Sequence, residues 1–397
     1  MKISISTIGT FHYIRLALEL AEAGHDVTLF SGYPRWKLAR QYPALAESTL
    51  RLVSFPYVQT FYLLCRRFGI GGRWWDRKLA HFSLEVFDRF TSRRLDPCEV
   101  FIGQGRLSLH SGRRAKALGA LYVCDMGSSH IRTQKALLEA EHQRRGVTFD
   151  AIDDRMVERE EKEYEVADAI SVISSFARET FVAQGLAAGK LWLNPLGVDL
   201  AQFQPEAIAR REDRLEILFV GGIALRKGIF YLLDAVQRLE IPFRLRLAGM
   251  PDVSCRDFVA ARRNPDRIEF LGHQGTAAVR RLMSESDVLV LPSVEDGFGM
   301  VLLQALACGC PIIASRHSGG PDLVESGKNG FLVEPGNSDD LKEKLMAALQ
   351  LKARPEIRQY CVESVRTFCG AGGWRGYAAR YASELERALS SRGSNPL

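Results

Sequence analysis

The chain has 397 residues, of which 46% are hydrophobic and 25% are charged, and its formal net charge at pH 7 is +6. These values are typical of a globular protein and exclude a disordered chain. The length exceeds that of one ordinary hydrophobic core, so two domains of about 190 residues each are expected.

Apolar segments alternate with helical stretches along the first half of the chain. We predict strands at residues 2–7, 26–31, 50–55, 99–103, 120–125 and 168–174. Such alternation is typical of a parallel sheet with helices on both faces. The pattern predicts one doubly wound domain over residues 1–195.

The alternation is interrupted after Asn194, and a polar segment leads to a new strand that starts near Glu216. We interpret residues 196–214 as an interdomain linker and residues 215–372 as a second doubly wound domain. Its strands are predicted at residues 215–221, 243–248, 267–271, 287–292, 311–314 and 331–333. Ligands of such sheets bind beyond the carboxyl ends of the strands, which favours a cleft between the two domains.

The most informative segment runs from Pro292 to Pro311. A buried strand is predicted before a loop with Gly297 and Gly299, and the helix that follows exposes backbone N–H groups able to bind an anion. Asp296 and Gln304 are eight residues apart, roughly two helical turns, so both side chains can face one ligand. An ordinary corner with Asp296 as a helix cap fits the same residues.

Three motifs in a fixed order give the chain a family resemblance. They are Phe219-Val220-Gly221 with Arg226-Lys227-Gly228, Asp296-Gly297-Phe298-Gly299 with Gln304-Ala305, and Ser318-Gly319-Gly320-Pro321 leading to residues 327–333. Over residues 215–350 the chain resembles the retaining glycosyltransferases of family 4. The resemblance implies the GT-B fold, an α/β architecture of two Rossmann-like doubly wound domains that face a central cleft. It also implies that the carboxyl-terminal helix, within residues 373–397, returns to pack on the first domain.

The chemistry of sugar transfer suits these residue types. Transfer from a nucleotide diphosphate sugar accumulates negative charge on the departing diphosphate, and Arg226 with Lys227 can neutralise it beside the flexible Gly221-Gly222 backbone. Two such cations take the place of a magnesium ion, so neither a metal nor a cofactor is expected. A solvated charged turn before a helix is the plainer interpretation of the pair.

The motifs predict the residues of the donor site, and three of these residues differ from the family pattern. Asp296 and Gln304 stand where the family usually has two glutamates, and Gly222 stands where it commonly has a basic residue. A shorter carboxylate and an amide can still bond sugar and ribose hydroxyls. The resemblance assigns catalytic roles to Asp296 and Lys227. It assigns donor contacts to Arg226, Gly221, Gly222, Gly297, Phe298, Gly299, Met300, Gln304, Gly319 and Gly320.

Two histidines are the candidates from the first domain. His130 follows a predicted buried strand and is expected at the cleft, where the resemblance gives it a catalytic contact with the donor sugar, near Asp125. His12, after Gly9, heads the first helix and is expected to face the diphosphate or the acceptor. A merely structural histidine fits either position.

The basic residues are concentrated in the first part of the chain, since residues 1–150 contain 22 Lys and Arg against 13 Asp and Glu, a balance of +9. Cations and aromatic residues are interleaved at Arg66, Arg67, Arg73, Trp74, Trp75, Arg77 and Lys78. Such a surface can bind an anionic membrane or a lipid-linked acceptor, although a helix with solvated side chains fits as well. Nucleic acid is not an expected partner, because no recognised binding module accompanies the patch.

Other classes of function stay open at this stage. Gly103-Gln104-Gly105 after a strand could belong to a dinucleotide oxidoreductase, although Ser108 replaces the third glycine. The changes at Asp296 and Gln304 also leave room for a noncatalytic protein that binds a sugar nucleotide. The pattern at the start of the chain predicts neither a signal peptide nor a membrane span, and the eight cysteines lack Cys-x-x-Cys spacing. We therefore expect a cytoplasmic enzyme, peripheral at most to the membrane, with a role in surface polysaccharide synthesis that the resemblance suggests.

Overall fold

A computed structural model describes residues 1–68, 72–208, 211–262, 264, 266–370 and 372–393. Two parallel β-sheets, each packed against α-helices, account for the fold. Within these ranges, every helix is too short or too polar to span a bilayer.

The first sheet has seven strands in the order β3-β2-β1-β4-β5-β6-β7, and each neighbouring pair is parallel. The strands are β1 (Lys2–Thr7), β2 (Asp26–Ser31), β3 (Arg51–Ser54), β4 (Val100–Gln104), β5 (Leu121–Met126), β6 (Ala169–Val172) and β7 (Leu191–Leu193). The helices are α1 (His12–Glu22), α2 (Arg35–Gln41), α3 (Tyr57–Arg67), α4 (Gly72–Arg94), α5 (Leu109–Ala117), α6 (Ile131–Arg144), α7 (Asp154–Val166) and α8 (Ser175–Ala183).

The second sheet has six parallel strands in the order β10-β9-β8-β11-β12-β13. The strands are β8 (Leu215–Val220), β9 (Phe243–Ala248), β10 (Ile268–Gly272), β11 (Val288–Leu291), β12 (Ile312–Ser315) and β13 (Gly330–Val333). The helices are α9 (Ile229–Gln237), α10 (Arg256–Ala260), α11 (Thr276–Glu285), α12 (Met300–Ala307), α13 (Gly320–Leu323), α14 (Ser338–Lys352), α15 (Ile357–Cys369) and α16 (Trp374–Gly393).

The central strands are buried on both faces, which explains their composition. All four residues of β11, Val-Leu-Val-Leu, are buried, and so is every residue of β5. A strand that is covered by helices on each side has no solvent face and needs no polar alternation. β11 reads as a continuous apolar run, and the one charged residue of β5, Asp125, lies near its carboxyl end.

The sequence prediction of the strands is confirmed for twelve of the thirteen, with ends that differ by at most two residues. The prediction missed β7, which has three residues and lies at the edge of the first sheet. A strand this short carries too few residues for a periodic signal. Both sheets have the strand order of doubly wound folds, in which neighbouring loops diverge at the carboxyl ends of the central strands.

The last helix, α16, lies against the first half of the chain. It packs on α1, and Tyr381 Oη donates a hydrogen bond of 2.9 Å to Oδ2 of the buried Asp125. Arg375 forms an ion pair with Glu22 at 2.9 Å. The carboxyl-terminal helix therefore connects the second sheet back to the first one.

Candidate functional site

A cleft of about 800 Å³ lies between the carboxyl ends of the two sheets. From the first half, the loops after β1, β4 and β5 contribute Thr10, Phe11, His12, Gln104, Gly105, Arg106 and residues 126–128. From the second half, it is lined by the loops after β8 and β11 and by the start of α12, with Gly221, Arg226, Lys227, Asp296, Phe298, Gly299, Met300 and Gln304. The structure thus brings most of the predicted donor residues to one cavity.

The two predicted cations lie in a 3-10 turn after β8 and carry counter-charges from the loop after β11. Lys227 Nζ bonds Asp296 Oδ2, and Arg226 Nη2 lies 3.6 Å from Asp296 Oδ1. Burial raises the pKa of Asp296, but Lys227 and Arg226 outweigh it and hold that pKa below its usual value. Asp296 is therefore ionised at neutral pH, beside two cations that face the cleft.

The loop from Asp296 to Met300 has two different faces. Phe298, Gly299 and Met300 line the cleft, and the left-handed backbone of Gly299, with φ of 81°, leads into α12. Gln304 lies one turn further along α12 and also lines the cleft. Gly297 faces the first half of the chain instead, where a Cβ atom would overlap the carbonyl oxygen of Gly127. Gly297 therefore allows the close approach of the two halves at this point.

Glu295 is a site residue that the sequence prediction did not identify. Its side chain is fully buried and accepts hydrogen bonds from Ser129 Oγ at 2.9 Å, Gln134 Nε2 at 3.0 Å and Arg226 Nε at 2.8 Å. Two of these donors belong to the first half of the chain and one to the second. The sequence motif includes its neighbour Asp296 instead. Only the tertiary structure reveals the partners of Glu295.

His12 lines the cleft, and a buried carboxylate fixes its ring on the side away from the cleft. Its Nε2 atom lies 2.9 Å from Oδ1 of the fully buried Asp125, whose other carboxylate oxygen accepts the bond from Tyr381. The hydroxyl of Tyr13 donates to the Asp125 carbonyl oxygen at 3.0 Å. Gly9, predicted with His12, does not line the cleft.

The structure contradicts the expected position of His130. The side chain caps the start of α6, where Nδ1 accepts the backbone N–H of Arg132, and the ring packs against Tyr164 and Phe181. Only 2% of the residue is exposed, and it does not line the cleft. Burial lowers its pKa to about 4, so the ring is neutral at pH 7. The chain turns into α6 at this residue, which directs the ring into the core.

Three predicted donor glycines also lie outside the cleft lining. Gly319 N donates to the Phe298 carbonyl oxygen at 2.8 Å, and Gly320 packs against Ala314 and Ser315. The small size of Gly319 lets the loop after β12 approach Phe298, and that of Gly320 lets the chain pack on the end of β12. Gly222 has open space around it but does not line the cavity.

Arg106 is a second cleft residue that the prediction missed. It is the one non-glycine residue with positive φ, 72°, in the described part of the chain. Its guanidinium bonds the buried Glu160 at 2.5 Å and also Gln134, which in turn binds Glu295. The Gly103-Gln104-Gly105 segment before it signalled an unusual turn at the end of β4. Strained backbone of this kind is enriched at functional sites.

The proposed membrane patch cannot be placed in the same way. The side chains of Arg66, Arg67, Arg73, Trp74, Trp75 and Arg77 lie outside the described residues, and the exposed Lys78 is the part of the patch that is described. Among the described residues, no group of three or more His, Cys, Asp or Glu side chains is arranged to hold a metal ion.

Known proteins resemble this chain in sequence and in fold. Residues 201–368 match the family model of glycosyl transferases group 1. A solved structure of Anabaena HepE in complex with UDP superposes with a TM-score of 0.68 at 14% identity, over 98% of this chain and all of that one. The fold is therefore GT-B, as predicted, and residues 201–368 are similar to glycosyl transferases group 1.

Two relatives define the extent of the similarity. An uncharacterized glycosyltransferase of Methanocaldococcus jannaschii is 36% identical over 157 residues, which are 40% of this chain and 44% of that protein. The MMP alpha-(1->4)-mannosyltransferase of Mycolicibacterium hassiacum is 24% identical over 95% of this chain and 94% of its own. The alignments with the first relative and with two putative colanic acid biosynthesis glycosyltransferases span less than half of each relative's length.

Proposed function

We propose that the protein is a retaining, metal-independent glycosyltransferase. It moves a sugar from a nucleotide diphosphate sugar to a glycan or lipid-linked acceptor in cell-surface polysaccharide synthesis, on the cytoplasmic side. The observation that carries the proposal is that Arg226, Lys227 and Asp296 meet in one cleft at the carboxyl ends of two parallel sheets. The solved structures of HepE with UDP and with UDP-glucose support a nucleotide sugar as the donor.

The diphosphate is assigned to the two cations. Lys227 and Arg226 are already desolvated in part and held in place by Asp296 and Glu295, so little reorganisation is needed when a diphosphate arrives. The guanidinium presents donors in a planar fork, and the ammonium group supplies a point charge. Together they stabilise the charge that develops on the departing diphosphate.

The sugar and the nucleoside are assigned to the loop after β11 and to α12. Asp296 accepts hydrogen bonds from sugar hydroxyls, and Gln304 bonds the ribose or the base, since both line the cleft. The backbone N–H groups at the start of α12 face the same space and favour negative charge. Phe11 and His12, on the opposite wall, are left for the acceptor.

The transfer itself needs no protein nucleophile in this arrangement. The acceptor hydroxyl attacks the anomeric carbon on the face from which the diphosphate departs, so the bond between that carbon and the phosphate oxygen breaks as the new glycosidic bond forms. The hydroxyl proton passes to the departing phosphate. Retention of configuration rests on the family resemblance, and the cations supply the charge stabilisation.

Nucleotide binding is tested by thermal unfolding in the presence of UDP, GDP, ADP, TDP and their sugar conjugates, with and without EDTA. A ligand at one hundred times its Kd adds about 2.7 kcal/mol to the free energy of unfolding. We expect one base to raise Tm equally with and without EDTA. The absence of any shift would contradict the proposal.

Two substitutions separate the roles within the cleft. We expect Lys227→Ala to abolish the Tm shift and to lower transfer by at least about a hundredfold, since a charge-assisted contact to the leaving group is lost. Asp296→Asn should lower transfer at least about tenfold but leave binding of the sugar-free diphosphate intact, and Asp296→Glu should restore transfer in part. Lys328→Ala is the matched control, because Lys328 is exposed and pairs with Glu325 in the same half of the chain.

Product formation in a radiolabelled transfer assay distinguishes the enzyme from a noncatalytic relative. A diphosphate that binds through Lys227 without any turnover of its sugar conjugate would favour the noncatalytic alternative. Wild-type turnover in Lys227→Ala would contradict the phosphate clamp itself.

A further inference from the structure

Exposed apolar side chains are concentrated in one region of the first half of the chain. Twelve large apolar residues are exposed in the described part of the chain, and five of them lie between residues 36 and 68. These five are Trp36, Tyr57, Phe61, Leu64 and Phe68, with exposed fractions between 46% and 72%. We name them the aromatic face.

Helical geometry places four of the five side chains on one surface. Tyr57, Phe61 and Leu64 on α3, with Phe68 directly after it, are spaced by four, three and four residues, which places them on one side of a helix. Trp36 belongs to α2, and a groove of about 660 Å³ between α2 and α3 is lined by Trp36, Tyr57, Phe61 and Leu64. A contiguous apolar surface of this kind marks an interaction site.

The charge of the same segment identifies the partner. Residues 32–80 contain nine Lys and Arg against two Asp and Glu, a balance of +7, whereas the whole chain has +6. The rest of the chain therefore sums to −1. Three of these cations, Arg35, Lys37 and Arg40, are exposed on α2 beside Trp36. Aromatic side chains that are flanked by cations fit the interface of an anionic bilayer, where rings enter the headgroup region and cations meet phosphates.

We propose that the aromatic face and the cations of α2 dock this protein on an anionic lipid bilayer. An anionic bilayer offers both the negative charge that the exposed cations require and an apolar layer that the exposed rings can enter. Binding requires no nucleotide, so it can succeed or fail independently of the proposed function.

The position of α2 links this surface to the cleft. The helix has seven residues, about 10 Å, and begins beside the aromatic face, while Gln41 at its end and the adjacent Tyr42 line the cleft. Docking would therefore place the acceptor wall of the cleft close to the headgroups. This consequence for a lipid-linked acceptor rests on the proposed function, but the docking does not.

Vesicle flotation of the full chain tests the proposal. The phosphatidylcholine vesicles contain either about 30% of the anionic lipid phosphatidylglycerol or none. We expect flotation with anionic vesicles only, and weaker binding at high salt because the electrostatic attraction is screened. The triple variant Tyr57→Ser, Phe61→Ser, Leu64→Ser should lower the bound fraction at least about tenfold.

Exposed residues elsewhere supply the matched control. Met250→Ser with Val253→Ser removes two comparably exposed apolar side chains from the second half of the chain, and we expect it to float like the wild type. Lys37→Glu with Arg40→Glu should also lower flotation. This double variant tests the proposal if circular dichroism shows that the triple variant is misfolded. Equal flotation of both vesicle types by the wild type and by the folded variants would overturn the proposal. So would a dimer in sedimentation velocity that the triple variant abolishes.

Discussion

Asp125 shows how a single buried carboxylate can organise a site without facing the ligand. Its two carboxylate oxygens bond His12 and Tyr381, and the tyrosine reaches it from a helix 256 residues further along the chain. Burial and then the charge of Asp125 raise the pKa of Tyr381, so that phenol stays a hydrogen-bond donor. The imidazole of His12 is thereby fixed at the cleft wall.

His130 makes a prediction about pH at the same scale. Its pKa in the folded protein is about 4, lowered by burial, whereas an unfolded chain has the ordinary value of 6.5. Between these values only the unfolded chain binds the proton, so the free energy of unfolding falls as pH decreases from about 6.5 towards 4. The stabilisation is fully present above pH 6.5.

Replacement by a residue that caps a helix equally well isolates this effect. We expect His130→Asn to lose about 2 kcal/mol less stability than the wild type between pH 7 and pH 5, because it has no proton to bind. Urea unfolding at both pH values measures the difference. Identical pH dependence in the two proteins would mean that His130 is accessible and charged in the folded state.

The loops after β8 and β11 are the elements that build one wall of the cleft. The first supplies the cations and the second supplies Glu295 and Asp296, and the two strands are neighbours in the sheet. Because parallel neighbours end at the same edge, residues about 70 positions apart along the chain come into contact. The backbone of the second loop also touches the first half of the chain, where Ser174 Oγ donates to the Gly297 carbonyl oxygen at 2.6 Å.

Gly297 gives a prediction at the element scale. A methyl group there would overlap the backbone of Gly127, which belongs to an opposing loop and cannot rotate away as a flexible side chain would. We expect Gly297→Ala to hold the halves apart and lower transfer more than about tenfold, while nucleotide diphosphate still raises Tm. Gly275→Ala is the control, since nothing lies within 4 Å of its added Cβ and transfer should be unchanged. Normal turnover in Gly297→Ala would show that this approach is not needed for catalysis.

At the scale of the whole molecule, the two halves are joined by buried polar contacts as well as by the chain. Glu295 bridges them through Ser129, Gln134 and Arg226. A second bridge is formed by Tyr231, whose hydroxyl donates to the buried Glu141 at 2.5 Å. Such contacts are specific in direction, so they define one relative position of the sheets.

The bridge at Glu295 can be tested by removing its charge. Glu295→Gln leaves the half-buried Arg226 without its main counter-charge and sets a buried amide against donor groups. We therefore expect the free energy of unfolding to fall by about 2 kcal/mol and Tm by about 4 °C. Glu334→Gln is the control, because its pair with Arg316 is exposed and should contribute little. The loss should shrink when Arg226→Met is added, and an undiminished loss would show that the two side chains are not coupled.

Much of the architecture was readable from local patterns. Continuous apolar runs such as β11 predicted buried parallel strands, and twelve of thirteen were confirmed because burial on both faces leaves a strong signal in composition. The domain boundaries at 195, 214 and 372 stay a prediction. Motifs at the ends of strands, where doubly wound folds place ligands, predicted Lys227, Asp296 and Gln304 as site residues, and the structure brings all three to the cleft.

Tertiary structure decided what no spacing could express. The partners of Glu295 and the strained turn at Arg106 depend on groups far away in the chain, and His130 was misplaced because the direction of a side chain after a strand depends on how the next helix packs. Gly319 lies against Phe298 and Gly320 against Ala314 and Ser315, contacts that the motif did not predict, since close approach to backbone and to a ligand impose the same need for a missing side chain. Sequence determined which elements form, through local burial and periodicity; only their packing decided which side chains share the cleft.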